Sequence, residues 1–135
     1  MQFLRLYYWI LYAAYINDPM AEVTRYTHKE ELAFRFMHYI IEEHSPDKDV
    51  TYYARKLGLS AKSLTNLIRS ISGQSARDWI VFYTIFEIKT LLRDSSLDIK
   101  AIAARTHFPD HATLSRYFRR YTGMTPTKYR ESFFF

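Results

Sequence analysis

Residues 99–130 of this chain have the sequence IKAIAARTHFPDHATLSRYFRRYTGMTPTKYR, and this stretch decides the fold. Helix start and stop signals predict three short helices here: Asp98–Thr106, Asp110–Tyr121 and a last helix that Thr125 caps and Pro126 begins. The first two are separated by a turn at 107–109, and Gly123 ends the second. A short helix, a tight turn and a longer helix that ends at glycine are typical of a helix-turn-helix unit.

The same pattern occurs a second time, 50 positions earlier. Residues 64–79, LTNLIRSISGQSARDW, align with residues 114–129, LSRYFRRYTGMTPTKY, and Arg69 with Arg119 is one of the identical pairs. The small residues Ala54 and Ala103 correspond at an offset of 49 rather than 50. The turn that follows them is therefore one residue longer in the second copy. The helical spacing of apolar residues predicts that these face inward: Leu64, Leu67 and Ile68 in the first copy, Leu114 and Phe118 in the second.

Helical signals continue through the rest of the chain. They predict further helices at 2–16, 28–44, 51–57, 60–71 and 76–93, with capping pairs Thr27–Glu30 and Ser75–Asp78. No segment shows the alternation of a strand. We therefore predict an all-α fold, with two helix-turn-helix subdomains joined by a long linker helix and an N-terminal helical arm. The predicted divisions are 1–27 for the arm, 28–93 for the first subdomain with the linker helix, and 94–135 for the second subdomain.

These motifs resemble a known family. Residues 50–131 are similar to the C-terminal DNA-binding module of the AraC/XylS family of bacterial transcription regulators. The strongest stretch, 99–130, ends in the family's Gly-Met-Thr-Pro-x-x-Tyr-Arg pattern, and YYARKLGLSAKSLTNLIRSISGQS, residues 52–75, resembles its first helix-turn-helix. The resemblance implies seven helices and two recognition helices that enter successive major grooves on one face of DNA.

The resemblance also implies which residues contact DNA. The base-reading positions fall on Lys62, Thr65 and Asn66 in the first recognition helix, and on Ala112, Thr113 and Arg116 in the second. Arginine can bind guanine through two hydrogen bonds, asparagine can pair with adenine, and threonine can contact the thymine methyl, whereas alanine offers only apolar contact. The predicted phosphate contacts are Arg69, Arg119, Arg120 and Lys128. For each residue the alternative is an ordinary solvated surface position.

Four residues depart from the family pattern. His107 replaces the usual glycine of the second turn, and Thr106 replaces the leucine before it. In the linker helix, Thr84 replaces an arginine and Ile88 an alanine. We expect His107 to adopt the left-handed conformation, which histidine tolerates better than most residues. These changes predict a less rigid second half and the loss of one contact with the DNA backbone.

The charge distribution favours a polyanionic partner. The net charge is +5, but residues 1–49 hold 5 Lys/Arg against 8 Asp/Glu, whereas residues 50–135 hold 14 against 6. The positive charge therefore lies where the two helix-turn-helix patterns lie, which supports nucleic-acid binding.

The residue types present argue against enzymes and metal proteins. The chain has no cysteine, which excludes thiol nucleophiles, disulfides and Cys-ligated zinc. No catalytic triad order or Gly-rich phosphate loop is present, so we predict neither enzyme activity nor a cofactor. His38 and Glu42 have the i, i+4 spacing of a metal pair, but a surface histidine beside helix acids is the favoured interpretation, and no metal site is predicted.

The N-terminal segment raises the question of partners. Residues 6–16, LYYWILYAAYI, are too short for a membrane span, which needs about 18 apolar residues, and too aromatic for a good signal peptide, so a cytoplasmic location is predicted. Helix 2–16 is expected to pack on helix 28–44 or, as favoured here, to pair with a second copy in a homodimer. At least two of Phe82, Tyr83 and Phe86 are expected in the core.

The family also implies a contact with RNA polymerase, whereas its usual sensor domain is expected to be absent, with residues 1–27 its remnant at most. No effector pocket is therefore predicted. The alternative function is a helical protein-interaction or dimerisation module whose DNA contact is only incidental.

Overall fold

The computed structural model describes residues 27–134, which contain seven helices and no strand. The helices are α1 (His28–Glu43), α2 (Val50–Lys56), α3 (Ala61–Ser72), α4 (Ala76–Leu92), α5 (Ile99–Arg105), α6 (His111–Thr122) and α7 (Pro126–Phe134). The predicted all-α class with two helix-turn-helix units is confirmed. The helix predicted at 2–16 lies outside the described residues.

The described residues form two compact units, and each has its own helix-turn-helix. The first unit comprises residues 27–43 and 48–80, and the second comprises 44–47 and 81–134. The boundary between them falls inside α4, after Ile80.

Side-chain caps determine where the helices begin. Thr27 Oγ1 accepts a hydrogen bond from the Glu30 amide at 3.2 Å, and Ser60 Oγ caps α3. Ser75 and Asp78 bond reciprocally, each accepting from the backbone amide of the other at 3.1 and 3.3 Å. These predicted caps are confirmed, and they satisfy amides that the first helical turn leaves free.

The observed helix bounds differ from the predicted ones by a residue or so, for local reasons. Helix α2 begins at Val50 rather than 51, because Asp49 Oδ1 accepts from the Tyr52 amide at 3.0 Å. Helices α3 and α6 run to the residue before Gly73 and Gly123, whose φ values of 78° and 77° are left-handed. Glycine adopts this conformation without steric cost, so it ends both helices at equivalent points.

The core of the first unit lies where α1, α2 and α3 meet. Phe36 is fully buried and meets the edge of the Tyr53 ring with 5.7 Å between centroids. Ala54, the small residue that corresponds to Ala103 of the second copy, is 1% exposed. Leu67, predicted to face inward, is only half-buried. The buried stripe of α3 runs through Leu64 and Ile68, one turn apart, and Leu67 lies at its margin.

The core of the second unit is formed by α4, α5 and α6. Its buried members are Ile88, Leu92, Ile102, Ala103, Phe108, Leu114 and Phe118. Thr106, which replaces the family's leucine, is fully buried, and its hydroxyl donates to the Ile102 carbonyl at 2.7 Å. The hydroxyl is therefore satisfied, and the threonine fills an apolar position without an orphaned polar atom. Ile88, which replaces an alanine, is fully buried in the same core.

The middle of α4 holds a buried polar cluster. Thr84 Oγ1 lies 2.7 Å from His44 Nε2, and His44 Nδ1 lies 3.0 Å from Glu87 Oε2. Of the three α4 aromatics whose burial the sequence left open, Phe82 and Tyr83 are half-buried, but Phe86 is 42% exposed and is not a core residue. The Phe82 and Phe86 rings stack with 6.5 Å between centroids.

Across the described residues, no helix is both long enough and apolar enough to span a bilayer. The same part of the chain contains no group of three or more His, Asp or Glu residues arranged to hold a metal ion.

Candidate nucleic-acid interface

The turn between α2 and α3 and the turn between α5 and α6 have the same conformation. Gly58 and His107 both have positive φ, at 71° and 64°, and His107 is the one non-glycine residue with positive φ among those described. After each of them, the next amide turns back onto the preceding helix: Leu59 donates to the Ala54 carbonyl, and Phe108 to the Ala103 carbonyl, both at 2.9 Å. The expected left-handed conformation of His107 is confirmed.

Helices α3 and α6 are built alike. Each has 12 residues, a side-chain N-cap and a left-handed glycine immediately after its last residue. Their buried stripes also match, with Leu64 and Ile68 in α3 and Leu114 and Phe118 in α6. The opposite face of each helix is therefore free to carry polar and basic side chains, which is what a recognition helix needs.

The predicted base-reading residues lie on or beside this outer face. Lys62 and Asn66 of α3 are exposed, as are Ala112 and Arg116 of α6. Thr65 and Thr113 are half-buried, Thr65 at the margin of the face. The structure thus brings together three predicted residues on each helix.

Comparison of the two helices adds two positions that the sequence reasoning missed. Ser63 occupies in α3 the place that Thr113 occupies in α6, and Ser115 corresponds in the same way to Thr65. Ser63 is exposed and Ser115 half-buried. The alignment at an offset of 50 contained this signal, because each residue assigned in one copy has a counterpart in the other.

The predicted phosphate-binding side chains lie on the surface. Arg69, Arg119, Arg120 and Lys128 are all exposed. Neither the Lys56–Glu43 ion pair nor the His44–Glu87 contact involves any of these four residues. Their charges therefore remain available to a polyanion.

The start of α6 carries a carboxylate beside its outer, polar face. Asp110 Oδ1 accepts from the Thr113 amide at 2.7 Å, and the Arg116 guanidinium donates to Thr113 Oγ1 at 3.4 Å. The backbone and side-chain hydrogen bonds of Thr113 lower the pKa of Asp110, and the charges of Arg116 and His111 lower it further. Asp110 is thus an anion at neutral pH.

Two helix-turn-helix units, each presenting a polar or basic second helix, define a DNA-binding protein with two recognition helices. Comparisons with known proteins agree. The model of a family described as "Helix-turn-helix domain" matches residues 53–132, which is more than half of the chain. The chain belongs to this AraC-type helix-turn-helix family, whose members include transcriptional activators.

Among the relatives is the HTH-type transcriptional activator RhaR of Yersinia pseudotuberculosis serotype O:3, 36% identical over 85 residues. The alignment covers 63% of this chain and 29% of that protein. RhaR of Cronobacter sakazakii is 32% identical over 83 residues, covering 62% of this chain and again 29% of the relative. The chain therefore spans less than a third of the length of these activators.

Solved structures show the same fold. The C-terminal domain of the two-component response regulator yesN from Fusobacterium nucleatum has a TM-score of 0.65 at 24% identity, covering 77% of this chain and 99% of that one. The DNA-binding domain of AdpA, solved in complex with a target DNA, has a TM-score of 0.63 at 24% identity, covering 76% and 91%.

Proposed function

We propose that this protein binds double-stranded DNA sequence-specifically and regulates transcription, with α3 and α6 each entering a major groove, one helical turn apart. The observation that carries the proposal is the pair of matched helices, each with a buried apolar stripe and an exposed polar or basic face. An α-helix of this kind fits the major groove, where every base pair presents a distinct pattern of donors and acceptors.

The proposed base contacts come from six residues: Lys62, Thr65, Asn66, Ala112, Thr113 and Arg116. Arg116 is assigned the most selective contact because its guanidinium can donate two parallel hydrogen bonds to guanine. Asn66, at the equivalent position of α3, is assigned to adenine. The half-buried Thr113 is suited to contact a thymine through its methyl group.

Phosphate contacts are assigned to Arg69, Arg119, Arg120 and Lys128, which are exposed cations. Such contacts fix the register of the protein on the duplex and supply salt-sensitive affinity, but they carry no sequence information.

The proposal extends to the partners of this protein and to its domain organisation. A DNA-binding regulator of bacterial type acts in the cytoplasm, and activation would come from contact with RNA polymerase. Residues 2–16, which are rich in aromatic and apolar residues, are proposed to pair two copies in a homodimer. The proposed organisation is an arm at 1–27 and subdomains at 28–93 and 94–135. In this division the linker helix α4 is counted with the first subdomain, although Ile88 and Leu92 at its end pack in the core of the second unit.

The test is a selection of tight binders from random duplexes, followed by affinity measurements with Arg116→Ala. We expect a two-part motif. The substitution should weaken binding to the selected site by roughly 1–3 kcal/mol and leave binding to a scrambled duplex nearly unchanged, because Arg116 reads a base. Arg35→Ala, on the exposed surface of α1, is the control. Salt-sensitive binding without any enriched motif would refute base reading, and no binding at all would favour the protein-interaction module.

A further inference from the structure

The second recognition helix differs from the first in its cap. Helix α6 is capped by the carboxylate of Asp110, whereas α3 is capped by the neutral hydroxyl of Ser60. The two helices also differ six residues after the cap, where α6 has Arg116 and α3 has Asn66. The anionic cap and the arginine thus occur together on one helix.

Thr113 connects these two charged groups. Its amide donates to Asp110 Oδ1 at 2.7 Å, and its hydroxyl oxygen accepts from Arg116 Nη2 at 3.4 Å. An arginine side chain on an exposed helix face has many rotamers, and binding must restrict them. A side chain already held toward the start of α6 loses less freedom when it binds a base there, since the N-terminal residues of a recognition helix face the base edges.

The carboxylate has a second effect. Phosphate and carboxylate are both negative, so Asp110 disfavours the close approach of the DNA backbone to this end of α6. It also offsets part of the arginine charge that would attract phosphate anywhere along the duplex. The guanidinium N–H donors that do not bond to Thr113 remain available to a base edge.

We propose that Asp110 is a positioning residue that determines the sequence selectivity of α6, by holding Arg116 through Thr113 and by offsetting the attraction of the Arg116 charge to phosphate. This inference rests on the proposed base-reading role of Arg116. It predicts that Asp110 raises the ratio of specific to non-specific affinity rather than the affinity for DNA of any sequence.

Asp110→Asn is the informative variant. Asparagine is as good an N-cap as aspartate, so the substitution removes the charge while α6 keeps its cap. Asp98→Asn is the matched control. Asp98 caps α5 in the same unit by accepting from the Ala101 amide at 2.7 Å, but the sixth residue after it is Ala104 rather than an arginine.

Both variants are made in the full chain, together with Arg116→Ala and the Asp110→Asn/Arg116→Ala double variant. Affinity is measured on the duplex that the unaltered protein selects and on a scrambled duplex, across a salt series. We expect Asp110→Asn to bind the scrambled duplex several-fold more tightly and to lower the selectivity ratio by on the order of tenfold. The slope of log affinity against log salt should steepen by up to about one unit. Asp98→Asn should change none of these.

The double variant shows whether Asp110 acts through Arg116 or independently of it. If Asp110 acts through Arg116, Asp110→Asn lowers selectivity in the unaltered background but not in the Arg116→Ala background. An equal loss of selectivity in both backgrounds, or the same effect from Asp98→Asn, would overturn the inference. So would equal weakening on both duplexes with a lower melting temperature, because that marks a lost cap. If Arg116→Ala itself leaves selectivity unchanged, the proposed base reading fails and this inference fails with it.

Discussion

At the scale of single residues, the two turn positions show how one conformation is reached by different residues. Gly58 and His107 both lie in the left-handed region, at 71° and 64°. Glycine occupies this region freely, whereas an L-residue there has its Cβ too close to the following carbonyl oxygen. The second turn therefore keeps its geometry at a conformational cost that the first turn does not bear.

This difference predicts that substitutions at the two positions have opposite effects on stability. His107→Gly should stabilise the second unit by about 0.5–1 kcal/mol, since relief of the left-handed strain exceeds the added entropy of an unfolded glycine. Gly58→Ala should destabilise the first unit by about 1 kcal/mol, and for conformational reasons alone, because a Cβ at Gly58 meets no atom within 4 Å. Chemical denaturation measures both. A destabilised His107→Gly variant would mean that the imidazole makes a contact that outweighs the strain.

At the scale of elements, a charged cluster fastens the end of α1 to α2. The Glu43 carboxylate accepts hydrogen bonds from Lys56 Nζ and, at 2.9 Å, from the Tyr52 hydroxyl. Lys48 Nζ donates to the Glu43 carbonyl, and the Lys56 ammonium lies 4.9 Å from the centre of the Tyr39 ring. The hydrogen bond from Lys56 lowers the pKa of Glu43, and the same bond raises the pKa of Lys56.

The two pKa directions predict how this cluster depends on pH. A lowered pKa means that Glu43 stabilises the fold above the ordinary glutamate pKa, and that this contribution is lost as pH falls through its folded value. The raised pKa of Lys56 means that its contribution is lost only as pH rises above the ordinary lysine pKa. Glu43→Gln should therefore lower the melting temperature at neutral pH, and the difference should vanish in acid. Glu42→Gln, at the exposed neighbouring position, is the control; a pH-independent difference would contradict the assignment.

At the scale of the whole molecule, the chain has opposite charge balances in its two parts, and the basic part carries both recognition helices. The four proposed phosphate-contact residues, Arg69, Arg119, Arg120 and Lys128, are exposed. Affinity for DNA should therefore fall steeply with salt, because each neutralised phosphate releases bound counterions.

We expect the slope of log affinity against log salt to have a magnitude of at least about 3, since each phosphate contact adds about 0.9. Alanine at any one of the four positions should reduce this magnitude by about 1 and weaken selected and scrambled duplexes equally. Arg35→Ala should leave the slope unchanged, because Arg35 lies on α1, outside both helix-turn-helix motifs. If none of the four substitutions altered the slope, these residues would not contact the DNA phosphates.

The sequence by itself determined the helices and their repetition, because the signals are local. Caps such as Thr27 and Ser60 satisfy amides within three residues, and Gly73 and Gly123 end helices through their own backbone conformation. Candidate contact residues could be named in advance because the motif and its resemblance place them one by one. The exact helix bounds follow less closely from the sequence, because several nearby side chains can serve as a cap. Asp49, for example, starts its helix at Val50, one residue earlier than predicted.

Only the tertiary structure decided how residues far apart in the chain meet. Thr84 and His44 are 40 positions apart, and neither residue alone predicts the 2.7 Å contact between them. Leu67 and Phe86 are apolar, yet they lie at the margin of the core or outside it, because burial depends on which helix packs opposite. The Asp110–Thr113–Arg116 connection needed side-chain directions around the start of α6, which sequence spacing does not specify.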